Sequence, residues 1–239
     1  MEPAGPHPLL DDIDLGYRGV YLPSHDTVII ADLHLGRGFA AGVEVPTDAM
    51  GNVDERLGNL LSRFDPRNVI FAGDVLDAFG TIPPGVIDHL DALVASIRAT
   101  GASVQFLEGN HDTMLSSLVE QPIEEYLVLG DTSVGHGHEE LPGDHARYII
   151  GHHHPSLRID GVKHPAFLVG TIHDGAQLIV LPAFSDSVRG TVMNVRSLNA
   201  IDEPLLVDAD VASLRPVVID PEADEPLVFP PFENLRRFL

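Results

Sequence analysis

The sequence has no cysteine, which closes off both a disulfide framework and a thiolate-held zinc and leaves nitrogen and oxygen as the only metal donors. Cationic side chains are nearly as scarce: 14 basic residues, with Lys163 the only lysine, stand against 36 acidic ones, for a formal net charge of −22. No basic stripe that would grip nucleic acid through its phosphates is present. No run approaches the roughly 18 apolar residues of a membrane span. The start at Met1-Glu2-Pro3 lacks the basic and apolar regions of a secretory signal, so a cytoplasmic protein without membrane contact is expected. A G-x-x-x-x-G-K-[ST] loop is missing and no Ser-His-Asp set stands out, which argues against nucleoside-triphosphatase and serine-hydrolase chemistry. Internal repeats and low-complexity tracts are absent.

What remains is an acidic chain of 239 residues with 44% hydrophobic content, ample for a sizeable core. It reads as a single domain over residues 1–239, with 1–8 and about 220–239 as peripheral tails. So much like charge repels itself in dilute buffer, whereas at molar salt the Debye length falls to about 3 Å and the repulsion is screened. Near-absence of lysine beside abundant aspartate is the pattern of a halophilic protein.

Five short motifs follow one another along the chain: Asp32-Leu33-His34, Gly73-Asp74-Val75-Leu76-Asp77, Gly109-Asn110-His111-Asp112, His136-Gly137-His138 and Gly151-His152-His153-His154. Apolar runs that read as buried strands, Val28 to Ala31, Val69 to Ala72, Val104 to Leu107 and Tyr148 to Ile150, lead into four of them. Their donors are expected to gather at one edge of one sheet. Two aspartates, an asparagine and several histidines exceed what one tetrahedral ion needs and suit a pair of divalent cations sharing a carboxylate.

Between these motifs, Met50, Val53, Leu57, Leu60, Leu61 and Phe64 recur at helical spacing with Thr47 placed to cap, and Val86, Leu90, Leu93 and Ile97 repeat the scheme before Gly101. A β-helix-β-helix-β succession implies parallel strands with right-handed crossovers, and sites in such sheets form beyond the carboxyl ends of the strands. After His154 the texture changes to strand-like runs at Ala166 to Val169, Gln177 to Leu181 and Thr191 to Val195, read as a mainly antiparallel second sheet. The acidic, proline-rich tail from Asp202, with short apolar runs such as Val217 to Ile219, reads as edge strand or surface wrapping. The fold class expected is α/β: a four-layer α/β/β/α sandwich of two mixed sheets flanked by helices.

The motif order D-x-H, G-D-x-x-D, G-N-H-D, H-G and G-H-x-H resembles the calcineurin-like metallophosphoesterase superfamily over roughly residues 27 to 155. Ala31 to Gly38 and Leu181-Pro182-Ala183-Phe184 are similar to its ICC-like branch, which includes ligase-associated DNA damage response endonucleases. The resemblance implies that Asp32, His34, Asp74 and His154 hold one metal ion and Asp74, Asn110, His136 and His152 the other, with Asp74 as the bridge. Two divalent ions are implied, Mn²⁺ first, with Fe, Zn or Ni as alternatives. Metal-activated water would attack phosphorus, and His111, oriented by Asp77, would protonate the leaving oxygen. The activity implied is phosphodiester hydrolysis, with DNA or RNA among the substrates and DNA repair proteins among the partners. A small-molecule phosphodiesterase or phosphomonoesterase is the alternative; a non-catalytic scaffold is a remote one, since every ligand position is filled.

Spacing alone leaves His136 and His138 open as ligands, and Asp77 is as well suited to capping a turn as to orienting His111. His153, between two residues that share a face, is expected to point away. Asp112 is expected to brace the Gly-Asn-His turn. Arg37 and Arg189 read more simply as solvated arginines than as phosphate contacts.

Overall fold

The computed structural model describes residues 8–37, 47–78, 80–172, 175–188, 190–194, 211–220 and 225–235; Arg189, His173 and most of the N-terminal tail lie outside them. The first half of the chain forms β1 (Asp14–Gly16), β2 (Gly19–Leu22), β3 (Thr27–Ile30), α1 (Thr47–Phe64), β4 (Asn68–Ala72), α2 (Val86–Ala99), β5 (Ser103–Leu107) and β6 (Ile123–Glu124). These six strands make one sheet in sequence order, antiparallel from β1 to β3 and parallel from β3 to β6. Alternate side chains divide between its faces. Val28, Ile30, Val69, Phe71, Val104 and Phe106 meet the apolar stripes of the helices, Val53, Leu57 and Leu60 on α1 and Val86, Leu90, Leu93 and Ile97 on α2. Ile29, Ala31, Ile70, Ala72 and Leu107 point the other way, into a second core. α2 ends as its pattern predicts, with Gly101 following at φ +93°.

The second half supplies β7 (Tyr126–Leu129), β8 (Thr132–Gly135), β9 (Arg147–Ile150), β10 (Pro155–Ile159), β11 (Val162–Pro165), β12 (Phe167–Thr171), β13 (Gln177–Val180), β14 (Thr191–Val192), β15 (Arg215–Ile219), β16 (Pro226–Val228) and α3 (Phe232–Leu235). A seven-stranded sheet runs β16-β15-β12-β13-β9-β8-β7, antiparallel except where β9 lies parallel to β8 and β13. Its inner residues Val134, Ile149, Phe167, Val169, Ile179 and Val217 face the first sheet across the shared core. Tyr148, Ile150, Leu168, Leu178 and Val180 alternate to its outer face.

The α/β architecture of two stacked mixed sheets is the one expected. Among the described residues the fourth layer is thin: β10, β11 and β14 form a small separate sheet, and the four-residue α3 seats Phe232 and Leu235 against the outer core. Three sequence readings change. β14 joins this small sheet through β10 rather than the large one, because its pairing partner Pro155–Ser156 directly follows the last histidine motif. β15 is interior, flanked by β12 and β16. Residues 225–235, read as part of a tail, contribute an edge strand and two buried core side chains. No helix among the described residues is long and apolar enough to cross a membrane.

Candidate metal centre

Each motif leaves the carboxyl end of a strand: Asp32 and His34 after β3, Asp74 and Asp77 after β4, Asn110 and His111 after β5, His136 after β8, and His152 and His154 after β9. The donors therefore come from two sheets, not from one edge of one sheet. The parallel pair β8–β9 belongs to the second sheet, and packing across the shared core brings its carboxyl ends to those of β3, β4 and β5.

Besides a set of His34, Asp77 and His111, two donor sets converge, Asp32, His34, Asp74 and His154 in one and Asp74, His136 and His152 in the other, the atoms of each set lying within 4.8 Å of one another. Asp74 is common to both. Its Oδ2 stands 3.3 Å from His136 Nε2 and 3.6 Å from His34 Nε2. Asp32 Oδ1 is 3.0 Å from His154 Nε2. Asn110 Oδ1 lies 3.2 Å from His136 Nε2 and joins the second set. Histidine nitrogens meet in pairs, His34 Nε2 with His154 Nε2 and His136 Nε2 with His152 Nδ1, each at 3.2 Å. Ring nitrogens drawn this close around two buried carboxylates are a donor set that fits cations.

Backbone conformation holds the set together. Asp32, His34, Asp74, His152 and His154 all have φ between 46° and 67°, half of the described non-glycine residues in the left-handed region. Such a conformation costs on the order of 1–3 kcal/mol per residue and persists only where the surroundings over-determine it. They do: Asp32 N–H donates to Gly73 O, His34 N–H to Asp74 O and Leu35 N–H to Val75 O, lacing the two loops together. The carboxylates add cross-links, Asp74 Oδ1 accepting from His111 N–H at 2.9 Å and Asp32 Oδ2 from His152 N–H at 3.0 Å. Gly109 packs so tightly that a Cβ there would overlap the backbone nitrogen and carboxylate of Asp74, and a Cβ on Gly73 would strike the His136 ring.

Burial opposes ionisation of Asp74, but the hydrogen bond and charge of His136, the His111 N–H and His34 outweigh it and hold the carboxyl below its ordinary range. Asp32, fully buried, is likewise lowered against its desolvation by His154, His136 and His34. His136 is pushed up to about 9, its desolvation overcome by Asp74 and Asp32. Its Nδ1 faces Ala72 O at 3.1 Å, which turns Nε2 towards Asp74. His34 goes the other way, down to about 4, chiefly through burial. A divalent ion would take the place of the proton that His136 holds against the two aspartates.

His111 is part-exposed at the edge of the cluster, its Nδ1 3.2 Å from Asp77 Oδ1. Asp77 also stands 3.7 Å from His34 Nδ1 and 3.4 Å from Arg37, so Arg37 pairs with Asp77. His138 lies outside the convergent sets and makes its ion-pair contact with Glu139 instead. His153 is also outside them; burial lowers it to about 3, and its Nε2 is buried without a hydrogen-bond partner.

Asp112 braces the turn as expected, Oδ1 accepting from Leu76 N–H at 2.9 Å and Oδ2 from Gly109 N–H at 3.1 Å. Asp112→Ala leaves both buried donors unmatched and should lower unfolding free energy by about 2 kcal/mol or more. Asp112→Asn, which keeps an acceptor for Leu76, should lose less. Urea unfolding of the three proteins checks the order.

Sequence reasoning missed the strut behind the Leu181-Pro182-Ala183-Phe184 run. Phe184 N–H donates to Ala31 O at 3.0 Å, pinning this segment beside Asp32. Arg18 Nη1 reaches Ala183 O, Phe184 O and Ser185 O at 3.1 to 3.4 Å, while Arg18 and Arg56 both pair with Asp186. Burial lowers the Arg18 guanidinium to about 10, still charged at neutral pH.

No protein-family model and no curated protein matches the sequence. Among solved structures, the chain is similar to the nuclease MPE of Pseudomonas putida, at 20% identity and a TM-score of 0.65 over 90% of this chain and 94% of that one. The phosphoesterase Yfce from E. coli aligns over 84% of this chain and 96% of its own at 14% identity, with a TM-score of 0.43, a likeness too loose to carry an argument. The chain shares the fold of the P. putida protein, the α/β architecture of two stacked mixed sheets expected from the sequence.

Proposed function

We propose that this chain is a dinuclear-metal-dependent phosphoesterase that hydrolyses phosphodiester bonds, with DNA or RNA as the substrate class. One observation carries the reading: the buried carboxylate of Asp74 is shared by two convergent donor sets. In our assignment Asp32, His34, Asp74 and His154 hold one ion, and Asp74, Asn110, His136 and His152 the other. Mn²⁺ is the ion proposed first, because imidazole, carboxylate and amide oxygen together suit it; Fe, Zn or Ni are the alternatives. When bound, such ions supply positive charge for the phosphoryl oxygens and lower the pKa of water at the site.

The protein's own part is to hold, orient and protonate. Asp74 spans the two positions, fixed by the His111 N–H. His136 is set by the Ala72 carbonyl. His111, at the part-exposed rim, is placed to give a proton to the leaving oxygen, and Asp77 at 3.2 Å orients its ring. The nuclease description of the structurally similar P. putida protein supports a nucleic-acid substrate over a small diester. Hydrolysis of a model diester, a model monoester, single-stranded and duplex DNA, and RNA by the Mn²⁺-loaded protein tests the reading. Diester cleavage that stops on chelation supports it; a chain that binds two metal equivalents yet cleaves none of the five overturns it.

We read the chain as one cytoplasmic domain adapted to molar salt, with DNA repair proteins as partners by the motif resemblance. The halophilic reading rests on the net charge of −22 and has its own test. The unfolding temperature should rise markedly from dilute buffer to molar KCl as the acidic surface is screened. A melting curve indifferent to KCl would remove this reading and leave the metal assignment standing.

A further inference from the structure

Residues 181–186 join the two sheets at one end of the metal centre. Leu181 N–H donates to Ile150 O at 2.7 Å, at the carboxyl end of β9, and Phe184 N–H donates to Ala31 O, just past the carboxyl end of β3. One position further on, Ser185 N–H reaches Asp32 O at 3.4 Å. The segment therefore clips together the strand ends that carry Asp32, His34 and His154, three of the four ligands assigned to the first ion. Asn110 and His136, assigned to the second ion alone, follow β5 and β8.

Two arginines hold this clip from behind. Arg18 Nη1 fans out to the carbonyls of Ala183, Phe184 and Ser185, while Arg56 on α1 donates through Nη1 to Phe184 O and lies 5.5 Å from the centroid of the Phe184 ring. Their remaining nitrogens share Asp186. Arg18 Nη2 takes Oδ1, whereas Arg56 Nη2, at 3.0 Å, and Asn52 Nδ2, at 2.9 Å, take Oδ2. Burial opposes ionisation of Asp186, but the charges and hydrogen bonds of Arg18 and Arg56 outweigh it and hold the carboxyl below its ordinary range. That carboxylate lets two guanidinium groups, which repel each other, end on the same short stretch of main chain.

The sign of these charges is informative. Arg18 lines a groove with His154, and positive charge beside a site for divalent cations weakens cation binding by Coulomb repulsion. A chain with only 14 basic residues nevertheless places two of them here, on uncharged carbonyls. What they contribute is geometry: Asp32 has φ 61°, a conformation that persists only where its surroundings fix it, and its own carbonyl is the one that Ser185 N–H meets.

Resting on the dinuclear reading above, we propose that Arg18, Arg56 and Asp186 are positioning residues for the first ion. Acting through the main chain of Ala183 to Ser185, they keep Asp32 in its ligating conformation and so set the affinity of one metal position and not the other.

Titration of the EDTA-stripped, desalted protein with Mn²⁺, free Mn²⁺ being read from its electron paramagnetic resonance signal, tests this without turnover. Arg56→Met keeps a stem against Phe184 and removes the donors; it should weaken one site roughly 10-fold and leave the other within about 2-fold. Loss of the charge alone would tighten binding instead. Arg56→Lys, which restores the charge and one donor, should recover part of the affinity. Asp186→Asn, at a part-exposed position gentler on the fold, should give the same one-site pattern and carries the test if Arg56→Met does not fold. Arg98→Met, an exposed charge in the last turn of α2, should change neither site. In the His154→Ala background, which retains the second position, Arg56→Met should have no effect. Tightening, equal weakening of both sites, or two unchanged affinities would each overturn the inference while leaving two bound ions in place. A wild-type protein that takes up a single Mn²⁺ would overturn the dinuclear reading itself, and this inference with it.

Discussion

Asp74→Asn is expected to cost the purified protein more than one equivalent of metal and nearly all of its turnover. The substitution is close to isosteric, so the His111 N–H can still find an oxygen, and what disappears is the negative charge. That charge is 1% exposed and faces His136 at 3.3 Å and His34 at 3.6 Å, so nothing in solvent compensates for it. A variant at a ligand serving one position should lose about one equivalent. Elemental analysis after desalting distinguishes the two cases. Two retained equivalents with wild-type turnover would dismiss Asp74 as the bridge.

His111→Ala is expected to act differently: metal content stays, while turnover falls by roughly 100- to 10,000-fold, the contribution of a well-placed acid. The loss should shrink for a diester with a very good leaving group, which departs without help. Asp77→Asn should show a weaker version of the same pattern, because it disturbs the orientation of the ring and leaves the ring in place. His34, Asp77 and His111 also converge closely enough to hold a cation of their own. If His111→Ala empties a metal position, that third set is the real one and the acid must be sought elsewhere.

The strands that carry the first two motifs were legible because β3 and β4 are buried on both faces, which makes each a nearly continuous apolar run, while β5 was legible from Val104, Phe106 and Leu107 although Ser103 and Gln105 are exposed. α1 and α2 were legible from the spacing of Val53, Leu57 and Leu60 and of Val86, Leu90, Leu93 and Ile97, all of which face the sheet. What could not be read was which sheet owns His136, His152 and His154, because β9 alternates between two apolar cores, a pattern that looks the same in either sheet, and β8 has a single apolar side chain, Val134, to mark its place. β7, β10 and β11 escaped notice because they are short and partly exposed. The left-handed backbone at His34, His152 and His154 leaves no readable trace in composition, since histidine, although enriched in that region among non-glycine residues, adopts it in only a small minority of cases. Arg18 was invisible for another reason: its partners Ala183 to Asp186 lie more than 160 positions away, and a lone arginine announces nothing.

The division of donors between two sheets also bears on how the protein is made. A nascent chain that has emerged as far as residue 124 can complete the first sheet and carries Asp32, His34, Asp74 and Asn110, yet it lacks every donor that follows β8 and β9. Neither half alone completes either of the two donor sets that share Asp74. On the proposed assignment, uptake of the metal pair during synthesis or refolding therefore waits until β8 and β9 dock onto the first sheet, so the arrival of the pair marks the union of the halves and not the formation of either.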